Sequence, residues 1–232
     1  MPSPMTHRES VYSSLRGHGL EIGALHEPAP VPGATKITYY DTRRKAESVA
    51  LFPEIPAERI VDPEFVGNLD VDGLRCFADA TFDFVIISHV IEHLSNPVLA
   101  IREVFRVTKP LGHVVIAVPD KNFTFDRLRP SVSWAHLWDD YLQARTVSSD
   151  EHYIEFLKSA HADVFPELEK NLAHHVARVR GRCEHTHAWD SAVFRQILGS
   201  ALDHLRISAR PVHEWNGAQT QLEYFSLWQK TA

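Results

Sequence analysis

Cysteine is nearly absent: Cys76 and Cys183 are the only two among 232 residues. They could pair in principle, but no secretory context accompanies them, so no disulfide framework is expected. Long apolar runs are missing as well, and none approaches the roughly 18 residues that a membrane span requires. Nor is there an excess of positive charge. Lys and Arg total 24 against 30 Asp and Glu, the net charge is −6, and the basic residues are scattered rather than gathered into a stripe. That balance disfavours a nucleic-acid partner. The opening residues, MPSPMTHRESVYSSL, lack the basic-then-apolar layout of a signal peptide. The expectation is a cytoplasmic protein without a membrane partner. Internal repeats and low-complexity segments are also lacking. A hydrophobic content of 44% over this length can bury a core without covalent or metal staples, so one domain over 1–232 is expected.

What is present is clearest at 82–119, FDFVIISHVIEHLSNPVLAIREVFRVTKPLGHVVIAVP. Phe84-Val85-Ile86-Ile87 and Val114-Val115-Ile116-Ala117-Val118 are short apolar runs without polar alternation, as expected of strands covered on both faces. Between them Val90, Leu94, Val98, Ile101, Val104 and Phe105 recur at helical spacing. The three pieces predict one βαβ unit of a parallel sheet. Ser88-His89 and Glu92-His93 then fall at the carboxyl end of the first strand, the edge where open α/β sheets bind ligands.

The remainder extends the pattern. Residues 6–16 predict a short leading helix, Leu20 to Gly23 a first strand, Lys36 to Asp41 a second, and 42–51 a helix. A third strand is expected between Ile60 and Asp70, with Pro53, Pro56 and Pro63 obscuring its start. Leu205 to Val212 and Gln219 to Trp228 predict two more strands, and the six residues between them are too few for a crossover helix, so an antiparallel hairpin is expected. Residues 121–186 break the alternation. A segment this long between strands is normally functional, and its aromatics and histidines predict a mostly helical cap over the ligand edge. The fold class is thus α/β, a Rossmann-like, mostly parallel sheet closed by an antiparallel strand.

Several motifs in this order resemble those of class I S-adenosylmethionine (SAM)-dependent methyltransferases, over nearly the whole chain. GHGLEIGALHEP at 17–28 resembles the first motif of that family, an acid followed by spaced glycines, although Leu25 replaces the second glycine. SHVIEHLSNP and VTKPLGHVVIAVP resemble the segments after strand four and into strand five, with Leu111 in place of a glycine. The resemblance implies SAM as cofactor and a seven-stranded sheet. It implies cofactor contacts from Glu21, Ile22 and Gly23, from Asp41 on the ribose hydroxyls, and from Asn68, Leu69 and Asp70 around adenine. His89 is expected to line the cofactor or acceptor channel, and His93 to be a helix-surface or packing residue. A nicotinamide enzyme shares the acid-after-strand-two logic but needs a G-x-G-x-x-G that this chain lacks.

For the acceptor end, PDKNFTFDRLRP, WAHLWDDY and HTHAW resemble a subgroup often associated with glycan or secondary-metabolite assembly. This implies a saccharide-like or other small-molecule hydroxyl as acceptor. Asp120 follows strand five and is expected to face the cleft. His136 is the first choice for a general base, since imidazole titrates near neutrality, and His187 is expected to point into the acceptor site. No metal is assigned. Glu92-His93, the alternating Cys183, His185 and His187, and the Asp139-Asp140 pair each have a metal reading, but packing, anchoring and solvation are the simpler ones. The subgroup resemblance thus implies O-methylation. Methylation of nitrogen or carbon on a small natural product, or a non-catalytic methyltransferase-like subunit, are the alternatives. A homodimer stays open.

Overall fold

The structure is a computed structural model that describes residues 6–231. A short helix, α1 (His7–Tyr12), precedes β1 (Gly17–Ile22), β2 (Ala34–Asp41), α2 (Lys45–Leu51) and β3 (Phe65–Val66). The chain then forms β4 (Phe82–Ser88), α3 (Pro97–Val107) and β5 (Thr108–Pro119). Four helices follow: α4 (Trp134–Leu142), α5 (Asp150–Ala160), α6 (Phe165–Leu168) and α7 (Leu172–Gly181). After α8 (Ser191–His204) come β6 (Ala209–Trp215), α9 (Gly217–Thr220) and β7 (Glu223–Lys230). The strands form one sheet in the order β3-β2-β1-β4-β5-β7-β6. Pairing is parallel except for β7, which runs antiparallel to both β5 and β6. This is a Rossmann-like α/β fold. The order in which the strands are connected reverses between the parallel neighbours β1 and β4, and that switch opens a crevice at their carboxyl ends.

The uninterrupted apolar runs divide by parity. Val85, Ile87, Val114, Ile116 and Val118 face one core with α3 and α8, whereas Phe84, Ile86, Val115 and Ala117 face a second core with α1. Because successive side chains point to opposite faces, a strand sandwiched between helices needs apolar residues at every position. Gly19 belongs to this packing, since a Cβ there would lie 2.1 Å from the Phe84 ring.

Boundaries differ from expectation where local chemistry competes with periodicity. The strand expected across 60–70 shrinks to Phe65–Val66. Beyond it, Asn68 Oδ1 accepts from the Asp70 N–H at 2.8 Å and Asp72 accepts from Asn68 N–H, which turns the chain. The helical pattern from Val90 onward is a 3-10 turn at Ile91–His93, and the α-helix starts only at Pro97, capped by the Asn96 side chain on Leu99 N–H. The terminal hairpin lies slightly further along than expected because α9 occupies its bend, with Asn216 and Gln219 forming a capping box.

The 121–186 segment is mostly helical. α5 and α7 share a small core of Tyr153, Phe156, Leu157, Val176 and Val179. Trp134, Trp138 and Tyr141 stack in a row at 5.4 and 5.2 Å and lean on the main core. Arg129 ties the segment together from the inside. Its guanidinium is 1% exposed and donates to Asp126 Oδ1 at 3.0 Å, Glu155 Oε1 at 2.8 Å, and the carbonyls of His185 and Thr186 at 3.0 and 2.8 Å. Removing one partner of such a buried pair strands the other. Arg129→Met is expected to lower stability by about 3–5 kcal/mol, measured by denaturant unfolding. An unchanged midpoint would contradict the role given to this arginine.

Candidate functional site

Two adjoining cavities lie at the carboxyl edge of β1, β2 and β4. They share Ile22, Gly23, Leu25 and His89. The one on the β2 side, ≈ 330 Å³, is walled by Asp41, Asn68, Leu69, Asp70, His93 and Cys183, among others. The other opens between α1 and the β1 loop, beside Arg8, Tyr12, Glu21 and Ser88.

The loop between them owes its shape to Gly23. At φ +71 it occupies the left-handed region, and a Cβ would lie 2.5 Å from Val90 Cγ2. Glu21 precedes it and is 4% exposed. Its Oε1 accepts from the Ala29 N–H at 2.9 Å, while Oε2 is buried with no partner. Burial raises its pKa to about 7, against the lowering effect of the Ala29 N–H and Arg8. An orphaned carboxylate oxygen with a guanidinium nearby fits the amino-acid end of SAM, whose ammonium would meet Glu21 and whose carboxylate would meet Arg8. At the opposite end, Asp41 closes β2 with Oδ1 accepting from Thr42 N–H at 2.6 Å, and burial raises its pKa. A carboxylate thus stands on the cavity wall at the end of β2, the residue expected to meet the ribose hydroxyls. Leu69 supplies an apolar wall and Asn68 a polar rim. Asp70 borders the cavity too, but its oxygens accept from Ser95 and Asn96 N–H, both at 2.9 Å, so it anchors the turn after β4.

The β4 edge carries the most polar chemistry. His89 sits at φ +53 and shares Glu223 with α1. Its Nε2 is 2.8 Å from Glu223 Oε2, which Arg8 reaches at 2.5 Å, while His7 lies 2.8 Å from the other oxygen. Burial alone would raise the Glu223 pKa, but these three partners hold it down at about 2. Burial lowers the His89 pKa, and Glu223 and Glu92 outweigh it, so the net shift is upward. Glu92 is fully buried and neither carboxylate oxygen has a hydrogen-bond partner. Around it stand His89 Nδ1 at 3.6 Å, His93 Nε2 at 3.8 Å and His185 Nε2 at 4.0 Å. His93, expected to be a helix-surface or packing residue, lines the cavity, because the 3-10 turn at 91–93 replaces the helix that would have pointed it outward.

The other acceptor-end residues lie elsewhere. Asp120 does not open on either cavity. Its Oδ1 accepts from Asn122 N–H and its Oδ2 from the Ser191 N–H and hydroxyl, which pins the end of β5 to the start of α8. His136 and His187 come together with His152 in a separate group, beside a third cavity behind the Leu94–Asn96 segment. Cys183, at φ +52, interrupts the alternation expected of 183–187. As a result His185 turns towards Asp126 and Glu92, while His187 turns towards His136 and His152. Among the described residues, two groups have ligand atoms all within 4.8 Å of one another: Glu92, His93 and His185, and His136, His152 and His187. Both cysteines are free. No described helix is long and apolar enough to cross a membrane.

Sequence reasoning passed over Arg8 and Arg182. Arg8 has one trace in the sequence, Tyr12 four positions on, which places both on one helix face. Arg182 bridges from the cap to the Leu51 carbonyl at 3.1 Å and Glu54 at 2.6 Å, drawing Cys183 and Glu184 across the cavity. No local signal marks it.

Residues 33–116 match the methyltransferase domain family. A demethylmenaquinone methyltransferase of Streptomyces griseus is 50% identical over 46 residues, which cover 19% of this chain and 20% of that protein. Two solved structures share the fold. One is the PH0226 protein of Pyrococcus horikoshii, with a TM-score of 0.52 and 17% identity over 95% of this chain and 84% of that one. The other is a Rhodobacter sphaeroides protein assigned to the Zn-dependent alcohol dehydrogenases, with 0.57 and 13% over 97% and 89%. At such identities only architecture is shared. Over 33–116 the chain is thus similar to methyltransferase domains, and the strand order and the paired cavities with Glu21 and Asp41 at their ends are compatible with that likeness.

Two outcomes are expected in calorimetric titration with S-adenosylhomocysteine. Asp41→Ala should abolish binding. In the wild type, affinity should rise with pH up to about 7, because the free protein carries a proton on Glu21 that the ligand's ammonium displaces; it should level off above that until the ligand amine itself deprotonates near pH 8. Glu21→Gln should remove that slope, and a wild-type affinity flat from pH 5.5 to 7.5 would contradict the pairing.

Proposed function

We propose that the protein transfers the methyl group of SAM to a hydroxyl oxygen of a saccharide or of a glycosylated or secondary metabolite. The observation that carries this reading is the buried, unpartnered Glu92 carboxylate with His93 beside it on the cofactor cavity wall. Bound SAM supplies an electrophilic methyl on a sulfonium. The chain supplies the rest: Glu21 and Arg8 hold the amino-acid end, Asp41 the ribose, and the Arg182–Glu184 segment covers the crevice and limits water.

A hydroxyl acceptor must lose its proton as the new bond forms. The Nδ1 of His93 donates to the Cys183 carbonyl at 2.5 Å, a contact that selects the tautomer with Nε2 free to accept. Burial lowers the pKa of this ring, so it is neutral and ready as a base at neutral pH. Glu92 then stabilises the imidazolium that forms. An amine acceptor would need positioning but no such base. The saccharide class rests on the resemblance of the 119–130, 134–141 and 185–189 runs. The Trp134–Trp138–Tyr141 row lends it no support, being stacked on itself outside the cavities. A second reading, carbon methylation of a quinol-like ring, draws on the short match to the Streptomyces griseus enzyme.

The test is transfer from methyl-labelled SAM to a panel of saccharides, glycosides, phenols, quinols and amines, with the methylated atom identified by NMR. Product on oxygen is expected. His93→Ala should lower kcat by about 100-fold or more while S-adenosylhomocysteine affinity stays within twofold. Product on carbon or nitrogen, or an undiminished kcat, would refute the proposal.

A further inference from the structure

The methyl-transfer reading leaves the histidine group beside the third cavity unexplained. His136 comes from α4, His152 from α5 and His187 from the stretch that leads into α8. Nothing in the sequence joins them. Their ring centroids are 5.1–5.7 Å apart, and one ring nitrogen of each lies within 4.8 Å of the others. The Nε2 atoms of His136 and His152 face each other at 3.2 Å. His187 is 2% exposed and its Nε2 is buried with no hydrogen-bond partner. The outer nitrogens of two rings are already engaged. His152 Nδ1 lies 3.1 Å from Ser149 Oγ, and His187 Nδ1 lies 3.2 Å from Thr186 Oγ1. A hydroxyl accepting from each Nδ1–H fixes the tautomer that leaves Nε2 as a lone-pair donor, the outer-shell arrangement typical of metal-bound imidazoles.

The geometry points to a binding site for a divalent transition ion, zinc first, held by His136, His152 and His187. Three imidazoles suit zinc or its neighbours and not magnesium or calcium, which take oxygen ligands. The fourth position faces the cavity of ≈ 390 Å³ bordered by Ser95, Asp139, Asp140, Ser148 and Ser149. Asp140 Oδ2, 3.2 Å from His136 Nε2, offers negative charge on that side and shares Arg145 through its other oxygen. Arg129 is the nearest buried cation, and Asp126 and Glu155 already neutralise it. An ion here would fasten α4, α5 and the 185–189 stretch to one another, giving the cap a second internal clamp besides Arg129.

The site is distinct from the Glu92, His93 and His185 group, and the experiment separates the two. The full chain, stripped with a chelator, is titrated with zinc by calorimetry and with cobalt by visible absorption. One ion per chain is expected, with the intense d–d bands of a four-coordinate site. Zinc at about 100 times its Kd should raise the melting temperature by roughly 5–10 °C. His136→Ala, at a half-exposed position where truncation spares the core, and His152→Ala should each remove the cobalt bands and the thermal shift. Retained S-adenosylhomocysteine binding in these variants would show that they are folded. Glu92→Gln should leave metal binding unchanged. Absence of binding by the wild type, or binding lost in Glu92→Gln and kept in His152→Ala, would overturn the assignment.

Discussion

Burying an arginine head group is costly unless every charge around it is matched, and the cap of this protein is organised around one such group. Arg129 reaches two carboxylates and two carbonyls from a site closed to water. Its partners are spread across the loop after β5, α5 and the 185–186 backbone, which are far apart in sequence. Their arrangement is therefore set by the planar fork of one guanidinium. The same backbone also receives the β4 edge, because Thr186 and His187 N–H both donate to the Glu92 carbonyl at 2.8 and 3.1 Å. Cap position and the ligand edge of the sheet are thus fixed together.

The parts of the fold legible in the sequence are those governed by periodicity within a single element. Strands β4 and β5 could be read because burial on both faces leaves no polar position. The hairpin of β6 and β7 could be read because six residues cannot cross a sheet. The positions of Gly23 and Asp41 were legible for a similar reason: a left-handed turn and a strand end are set by backbone conformation and register, which are local. β3 was not, because it is two residues long and its neighbours are prolines and side-chain-bonded turns.

The acceptor end resisted for a different reason. Which way His93 points depends on a 3-10 turn that precedes Pro97, and which way His185 and His187 point depends on one left-handed residue, Cys183. Asp120 has the right address at the end of β5, yet the Ser191 hydroxyl and amide claim its carboxylate. These outcomes are decided by partners remote in sequence. A lone histidine or aspartate carries no trace of them, so residue type and position predicted a cleft-facing acid that packing turned into a strut.

The place of β7 has a consequence for the order in which the molecule can be assembled. It follows the other six described strands in the chain, yet it lies between β5 and β6, inside the sheet. Until residues 223–230 leave the ribosome, β5 exposes an unpaired edge whose Val114 to Val118 run is among the most apolar in the chain, and unpaired apolar edges seek other strands. Glu223, which opens β7, is also the carboxylate that gathers His7, Arg8 and His89. Pairing of β7 therefore both closes the sheet and draws α1 against the crevice at its carboxyl edge.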